Sequence, residues 1–444
     1  CDPGRACVDH ACVPLQCTSD GACTTAEAPF CVDGACRECD ADRGCTSSLP
    51  RCELANNTCA TCSVEADCEA FLDQPFCAAS GACVECVVSD QCTSLEPVCD
   101  DNSCRACVTH DDCASNVCDA TTGACIDGAK VFYASPDGSE IAPCTLAMPC
   151  SIIKAVSDSD ALRPVVRALP GAYSNASNLQ VMGLGTELTV FAEGVVPDVN
   201  NYGLQFFVGP GVRLHLIGGL VSVDSSGSLG SMIPTIDILN ADIGGISTQF
   251  STVTIKNSHV KIPTGSDRPI QFLGLAGAPN VTLRIERSTL EGTYFITANN
   301  AVVLLENSVM LNSRGDGESG PDTTIGVVQT STSATFAATH TTFVNTKANV
   351  GQFRNCIFFQ TGPAPTIGGT ADVRNSIITP QGAQIGMNNT INVDPKFVSA
   401  IDFHLMADSP AIDLGAPSTV QFDFDGTPRP QGAANDVGAF EYKP

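Results

Sequence analysis

Apolar and polar residues alternate in short stretches along the second part of this 444-residue chain. Thr254 and Lys256 alternate with apolar neighbours, and so do Arg284 and Glu286. A period of two is that of a β-strand with one buried face. Asn, Ser, Gly and Thr, which favour turns, separate the stretches. The pattern predicts an all-β fold built from many short strands.

Several stretches end on one shared motif: an apolar residue, a polar residue, Asn or Arg, and then Ser or Cys. It recurs at residues 255–258, 285–288, 305–308, 353–356 and 373–376. Short strands that recur with a turn residue at a fixed place predict a solenoid of parallel strands. Asn side chains at equivalent corners are then expected to stack and to hydrogen-bond along the solenoid axis.

The first 128 residues, which we call the repeat array, follow a pattern set by cysteine. They contain 23 of the 26 cysteines. Twenty of these form five blocks of four, which start at Cys17, Cys39, Cys62, Cys86 and Cys107 and are joined by CxxC. This spacing is typical of disulfide-bonded repeats in an oxidising compartment, although it does not determine the pairing. Haem is disfavoured because no pair is followed by His, and zinc because the array has few His.

Two interpretations of Cys1 stay open. It is either the lipid-bearing first residue of a mature bacterial lipoprotein or a cysteine of an earlier block that is cut short. In the first interpretation Cys7 pairs with Cys12 and the lipid attaches the protein to a membrane. No apolar run approaches the roughly 20 residues of a transmembrane helix. Both interpretations place the protein outside the cytoplasm.

Composition changes sharply near residue 128. The array holds 22 acidic residues, five Arg and no Lys. We therefore predict a disulfide-stapled stalk at 1–128, followed by the solenoid as a separate part. The formal net charge of −26 argues against nucleic-acid binding and against adhesion to bare anionic membrane.

Each block carries polar or acidic residues between its first two cysteines, among them Asp20, Asp67 and Asp112. Carboxylates that recur in this way suggest calcium sites. Their position drifts by one or two residues from block to block, whereas a calcium loop needs closely fixed ligand spacing. We therefore expect turns in which the carboxylate binds nearby backbone N–H groups.

The start of the second part resembles the opening of pectate-lyase-like right-handed parallel β-helix proteins. The resemblance is carried by residues 131–138, 143–151 and 165–173. It implies an extended strand, a glycine turn and a capping helix at 152–162. Cys144 and Cys150 would staple this cap as a disulfide.

The C-terminal residues resemble the end of bacterial surface β-helix proteins of the choice-of-anchor-Q type. The matching segments are 393–397, 403–405, 409–415, 423–430 and 436–442. The two resemblances together imply a β-helix with its N-terminal cap at 129–390 and a C-terminal cap at 391–444 that covers the open edge of the last coil. Asp423 and Asp425, in a DxDG sequence, are weak calcium candidates. The cysteine blocks also resemble repeats in predicted surface proteins and lipoproteins of gliding and predatory soil bacteria.

Many β-helix proteins cleave acidic polysaccharides, but the motifs of such enzymes are absent. Polygalacturonase-like hydrolases need NTD, DD, SHG and RIK motifs, and the chain has none of these after residue 112. Pectate lyases need acidic calcium ligands and an Arg base at set coil positions. The chain also has no Trp and only five Tyr, whereas sugar sites usually stack on aromatic rings.

One carboxylate pair remains a catalytic candidate. Glu286 and Glu306 hold the same motif position in consecutive coils, so their Cα atoms are expected about 4.8 Å apart. Carboxylates this close suit a retaining glycosidase, with Arg284 beside them. The loop that follows carries Asp316 and Glu318, two further weak calcium candidates. The alternative is an ordinary solvated column formed by Lys256, Glu286, Glu306, Thr339, Arg354 and Arg374.

The sequence favours a bacterial extracellular or cell-surface protein without catalytic activity, whose stalk displays a β-helix for structure, adhesion or recognition. The expected partner is a surface polysaccharide or a protein. One alternative is a polysaccharide lyase or glycoside hydrolase acting at Glu286 and Glu306, and another is a self-assembling fibre subunit. No cofactor is expected apart from calcium at the weak candidates. Cys356 is expected to be a small buried side chain rather than a nucleophile.

Overall fold

A computed structural model describes most of the chain and divides it into two compact units, Cys1–Gly128 and Ala129–Pro444. The division falls where the composition changes. The described residues are 5–8, 11–40, 43–174, 178–183, 185–196, 203–226, 233–261, 270–273, 281–291, 295–297, 301–311, 327–329, 335–346, 348, 350–360, 367, 371–379 and 388–443. Asp316 and Glu318 lie outside them, as do Cys1 and the side chains of Cys7 and Cys12.

The repeat array is a series of two-stranded antiparallel hairpins. They pair Arg5–Val8 with Ala11–Pro14, Phe30–Val32 with Ala35–Arg37, Arg51–Glu53 with Thr58–Ala60, Phe76–Cys77 with Cys83–Val84, Val98–Asp100 with Ser103–Arg105, and Cys118–Asp119 with Ala124–Cys125. Short 3-10 helices lie at Asp20–Ala22, Glu65–Cys68, Ser89–Gln91, His110–Asp112 and Gly128–Lys130.

Disulfides join the two halves of every block. The first cysteine bonds the third and the second bonds the fourth, as in Cys17–Cys31 and Cys23–Cys36. The other four blocks repeat this order. The structure thus supplies the connectivity that the spacing left open. The twenty block cysteines are disulfide-bonded rather than arranged around zinc.

The second unit is a parallel β-helix, which confirms the predicted fold. Among the described residues its first sheet has eleven parallel strands, Val131–Ser139, Val165–Ala168, Glu187–Phe191, Arg213–Ile217, Thr235–Leu239, Thr252–Lys256, Val281–Glu286, Ala301–Glu306, Thr335–Thr339, Gln352–Arg354 and Asp372–Arg374. The main path of the second sheet has Leu179–Val181, Leu204–Val208, Leu220–Ser226, Asp242–Gln249, His259–Lys261, Thr289–Glu291, Val309–Leu311, Thr342–Val344, Ile357–Phe359, Ile377–Thr379 and Thr390–Ile391. A branch adds Ile270–Leu273, Phe295–Thr297 and Val327–Gln329, and Gly171–Ala172 pairs with Val195–Val196.

Alternation along the strands creates the core. In Val281–Glu286 and Ala301–Glu306 every second side chain is buried and the others are partly exposed. Stacked coils bring the buried side chains into one continuous apolar cluster. Its later coils are filled by phenylalanine rings, with Phe353 packed edge-on against Phe343 and Phe358. The described residues contain no helix long and apolar enough to cross a membrane.

From Arg213–Ile217 onward, the residue that follows each strand of the first sheet takes a left-handed backbone conformation. Asn257 and Asn307 have φ values of 49° and 45°, a region that Asn tolerates better than most residues. The corner side chain of Asn355 bonds along the axis, with its Nδ2 3.0 Å from Nε2 of His340 at the adjacent corner. At the earlier corners the described side-chain bonds along the axis come instead from the residue after the corner. The Oγ of Ser288 accepts the N–H of Ser258, and the Oγ of Ser308 accepts the N–H of Ser288.

The N-terminal end of the β-helix is held as predicted by the Cys144–Cys150 disulfide. The capping helix spans only Ile152–Ser157 and is shorter than the predicted 152–162. Ser151 caps its start. It ends early because Asp160 forms an Asx turn, in which its Oδ1 accepts the N–H groups of residues 162 and 163.

The C-terminal segment, residues 394–443, packs against the outer side of the second sheet. Phe440 and Ala439 share one apolar cluster with Val309 and Val344, and Val437 shares another with Ile357. These contacts run along the flank of the solenoid and reach coils well before the last one. Coverage of the open edge, the role predicted for this region, stays a prediction.

Candidate functional site

The column of charged residues predicted from the motif is present on the outer face of the first sheet. Strand register pairs Lys256 with Glu286 and Glu286 with Glu306. The column then continues through Thr339, Arg354 and Arg374. The two candidate carboxylates therefore stand on adjacent strands, as expected.

Arg284 bridges these carboxylates. Its Nη2 lies 2.7 Å from Glu306 Oε2, and its Nε donates to Glu286. Lys256 Nζ adds a third contact at 3.3 Å from Glu286 Oε2. The pair is thus part of an ion-paired network rather than two carboxyl groups that face each other alone.

The ion pairs of this network set the protonation states of Glu286 and Arg284. Burial by itself would raise the pKa of Glu286, but the hydrogen bond and charge of Arg284, together with Lys256, outweigh it and lower that pKa. For Arg284, burial would lower the pKa, but the two carboxylates outweigh burial and raise it. Glu286 is therefore ionised and Arg284 cationic at neutral pH.

The C-terminal segment forms a second wall opposite this network. A cavity of about 480 Å³ lies between Arg284, the two carboxylates and residues 419–422. The corner residue Asn307 holds this wall, because its Nδ2 donates to the Phe422 carbonyl oxygen at 2.5 Å. Sequence reasoning missed the wall, since 115 residues separate these two partners.

A second cavity of about 490 Å³ lies at the same corner. Its lining includes Asn240, Asp242, Asn257, His259, Arg287 and Phe424. Arg287 lines both cavities, and its guanidinium has no ion-pair partner in the described part of the chain. We call the two cavities together the flank groove. Asn amides, a free guanidinium and a phenyl ring give it both hydrogen-bonding and apolar walls.

The donor set does not fit calcium at Asp423 and Asp425. Asp423 is buried, and its carboxylate accepts the N–H groups of Asp425, Thr427 and Glu441. Asp425 Oδ2 lies 2.7 Å from His404 Nε2. N–H groups converge where a cation would have to bind, so these aspartates stabilise the turn.

The acidic residues of the repeat array act in the same way, as predicted. Asp67 Oδ2 accepts the N–H groups of Ser63 and Val64, and Asp112 Oδ2 accepts equivalent bonds in its block. In another block the amide oxygen of Gln91 does this. Because a neutral amide replaces the carboxylate, the position serves the turn rather than a metal.

A buried polar network anchors the DVGAFE segment. The side chains of Arg429 and Glu441 are fully buried and ion-paired at 2.5 Å. Asp436 accepts two backbone N–H bonds, and burial raises its pKa to about 6. Burial, assisted by the charge of Arg429, lowers the pKa of the corner residue His340 to about 3. His340 contacts Ser418 Oγ at 2.9 Å, so the network joins the coils to the segment.

Cys356 is free and buried, as predicted, and burial raises the pKa of its thiol to about 12. It occupies the Ser position of the corner motif, where its N–H is accepted by Ser376 Oγ. A thiol that stays protonated and inaccessible is no nucleophile.

Comparison with known proteins adds little to this picture. A family of unknown function (DUF8331) matches residues 45–131. No curated protein sequence matches the chain. Among solved structures the chain is similar to that of pectate lyase Pel9A, at 14% identity and a TM-score of 0.35, covering 70% of this chain and 96% of that one. It is also similar to a rhamnogalacturonan lyase, at 13% identity and a TM-score of 0.23, covering 61% and 90%.

These similarities concern the fold alone, and we draw no activity from them. The resemblance to choice-of-anchor-Q proteins and the bacterial origin stay predictions.

Proposed function

We propose that this protein is a non-catalytic extracellular recognition protein that binds a polysaccharide in the flank groove. The bridge of Arg284 to both candidate carboxylates is the main support. A glycosidase needs one carboxyl group that stays protonated near neutral pH. The lowered pKa of Glu286 opposes that role, and Glu306 contacts the same guanidinium.

A lyase at this flank would need a base that can lose its proton. The raised pKa of Arg284 keeps its guanidinium charged. The groove nevertheless offers recognition groups along several coils: the amides of Asn240 and Asn257, the cation of Arg287 and the ring of Phe424. Binding without cleavage is the function that this arrangement supports best.

The location of the protein outside the cytoplasm rests on its disulfides, and its attachment to a cell surface is part of the proposal. The ten disulfides described in the array require an oxidising compartment, so the protein is extracellular or secreted. Attachment to a bacterial cell surface is proposed from sequence resemblance alone.

A polysaccharide panel tests the proposal. Acidic and neutral polymers are offered to the full chain with and without calcium, and affinity electrophoresis measures binding while reducing-end and unsaturated-product assays measure cleavage. We expect at least one polymer to bind without cleavage. Arg287→Ala should weaken that binding, whereas Arg374→Ala, on the same sheet but outside the groove, should not.

Two results would replace the proposal. Cleavage that disappears in a Glu286→Gln/Glu306→Gln variant would make the protein a polysaccharide-cleaving enzyme. Filaments formed by the purified protein without a partner, together with no polymer binding, would favour the fibre-subunit alternative.

A further inference from the structure

A groove in the repeat array, within the first unit, suggests a second binding site that does not depend on the proposed function. It lies between the third and fourth blocks, has a volume of about 1350 Å³ and is lined by residues 70–76, 84–85, 91–93 and 101–104. We call it the inter-block groove.

The third block contributes the longest loop of its kind in the array to this groove. Eight residues separate Cys68 from Cys77, whereas the equivalent intervals in the other blocks hold seven, six, six and four. The loop is folded into turns, since the Phe71 N–H donates to the Cys68 carbonyl oxygen and the Gln74 N–H donates to that of Phe71. A turn held in this way presents a defined surface rather than a loose chain.

The loop displays apolar side chains. Phe71 packs against the disulfide core of its block, which fixes the base of the loop. Leu72 is 89% exposed at its tip, and Phe76 is half-buried at the far end. Single exposed apolar residues are common, but here they line a concave surface, which is typical of a docking site.

The charge of the groove restricts what can dock there. Its lining includes Asp73, Glu85 and Asp101 and no Lys or Arg. Glu85 accepts the N–H of Cys104 and so belongs to the framework, but the other two carboxylates have no ion-pair partner among the residues that the structure describes.

None of the five Arg of the array lines the groove. Arg43, Arg51 and Arg105 are each paired with carboxylates inside the array. We propose that the inter-block groove binds a segment of a partner protein in which a bulky apolar residue is flanked by Lys or Arg. The apolar residue packs against Leu72, and the cations face Asp73 and Asp101. An anionic lipid surface or a nucleic acid would be repelled.

The test uses a fluorescent octapeptide of alternating Lys and Leu, with the full disulfide-bonded chain and fluorescence anisotropy as the readout. Binding should weaken as salt rises, because the contacts are partly ionic. Leu72→Ser should weaken it roughly tenfold or more, since it removes a large apolar contact. Asp73→Asn with Asp101→Asn should weaken it and flatten its salt dependence.

Matched controls come from the fourth block. Leu95 is 70% exposed and Asp90 is exposed, and neither lines the groove. Leu95→Ser and Asp90→Asn should leave binding unchanged. Equal loss in these controls, or equal binding of a Lys–Ser octapeptide, would show non-specific attraction to an acidic surface and overturn the proposal. A dimer in sedimentation that Leu72→Ser abolishes would identify a second copy as the occupant and also overturn it.

Discussion

The described part of the repeat array buries three apolar side chains other than cysteine, Ala78, Val98 and Val117. The β-helix unit instead buries one apolar cluster that extends from Phe132 to Ile378. Disulfides take the place of a core in the first unit, whereas in the second each coil covers its neighbour. Two ways of stabilising short strands therefore occur in one chain, and they should respond differently to reduction, to core substitutions and to acid.

Reduction under native conditions should have the largest effect, and it should act on the array and, in the β-helix unit, only on the end held by Cys144–Cys150. The ten disulfides close loops with sequence separations between 11 and 15, and each contributes about 2–4 kcal/mol. Hydrogen exchange should show that the hairpin strands Val98–Asp100 and Ser103–Arg105 lose protection while Val281–Glu286 keeps it. Protection of the hairpins that survives complete reduction would contradict a disulfide-held array.

A core substitution should destabilise the β-helix unit rather than the repeat array. Phe353 is 1% exposed and packs against three other rings, so Phe353→Ala should lower the free energy of unfolding of the β-helix by about 3–5 kcal/mol. Phe207→Ala, at a site that is 38% exposed, is the control and should cost much less. Urea unfolding followed by circular dichroism measures both. Equal effects would mean that this aromatic cluster is not a tightly packed core.

Protonation of His340 should weaken the contact between the C-terminal segment and the coils. Because the pKa of His340 falls from about 6.5 to about 3 on folding, its stabilising contribution is complete above about pH 6.5 and is lost as the pH falls toward 3. By pH 4 the loss at this residue is on the order of 3 kcal/mol. Asp436 in the same network acts in the opposite direction, because its raised pKa of about 6 lets the folded state take up a proton before the unfolded state does.

His340→Asn is the matched variant, because Asn occupies this corner in neighbouring coils and tolerates the φ of 50°. Between pH 7 and pH 4 the unfolding free energy of this variant should rise relative to that of the wild type. The same pH dependence in both proteins would show that other groups control the acid response.

Cys356→Ser should have the smallest effect. Serine fills the same corner position in neighbouring coils, and its hydroxyl can donate to the Arg354 carbonyl oxygen that the thiol now contacts at 3.2 Å. We expect a change in unfolding free energy below about 1 kcal/mol. A larger loss would show that the β-helix needs the volume of sulfur at this corner.

The candidate site shows where sequence reasoning stopped. The sequence motif was enough to predict that Glu286 lies beside Glu306. Both residues hold the same position in the motif, and the register of parallel strands brings equivalent positions together. The bridge from Arg284 follows the same register, since this residue lies two positions before Glu286 on one face of the strand. The lowered pKa of Glu286, which opposes a role as general acid, could be inferred only from the actual distances.

The sequence alone determined those features of the protein that depend on residues close together in the chain. The alternation of apolar residues specified strands with one buried face, the corner motif specified their stacking, and the cysteine spacing specified blocks. Tertiary structure alone decided the disulfide connectivity, the course of residues 394–443 along the flank, and both grooves. Each of these depends on contacts between residues far apart in the chain, such as Asn307 with Phe422. Such contacts follow from how whole surfaces fit together, and no local pattern encodes them.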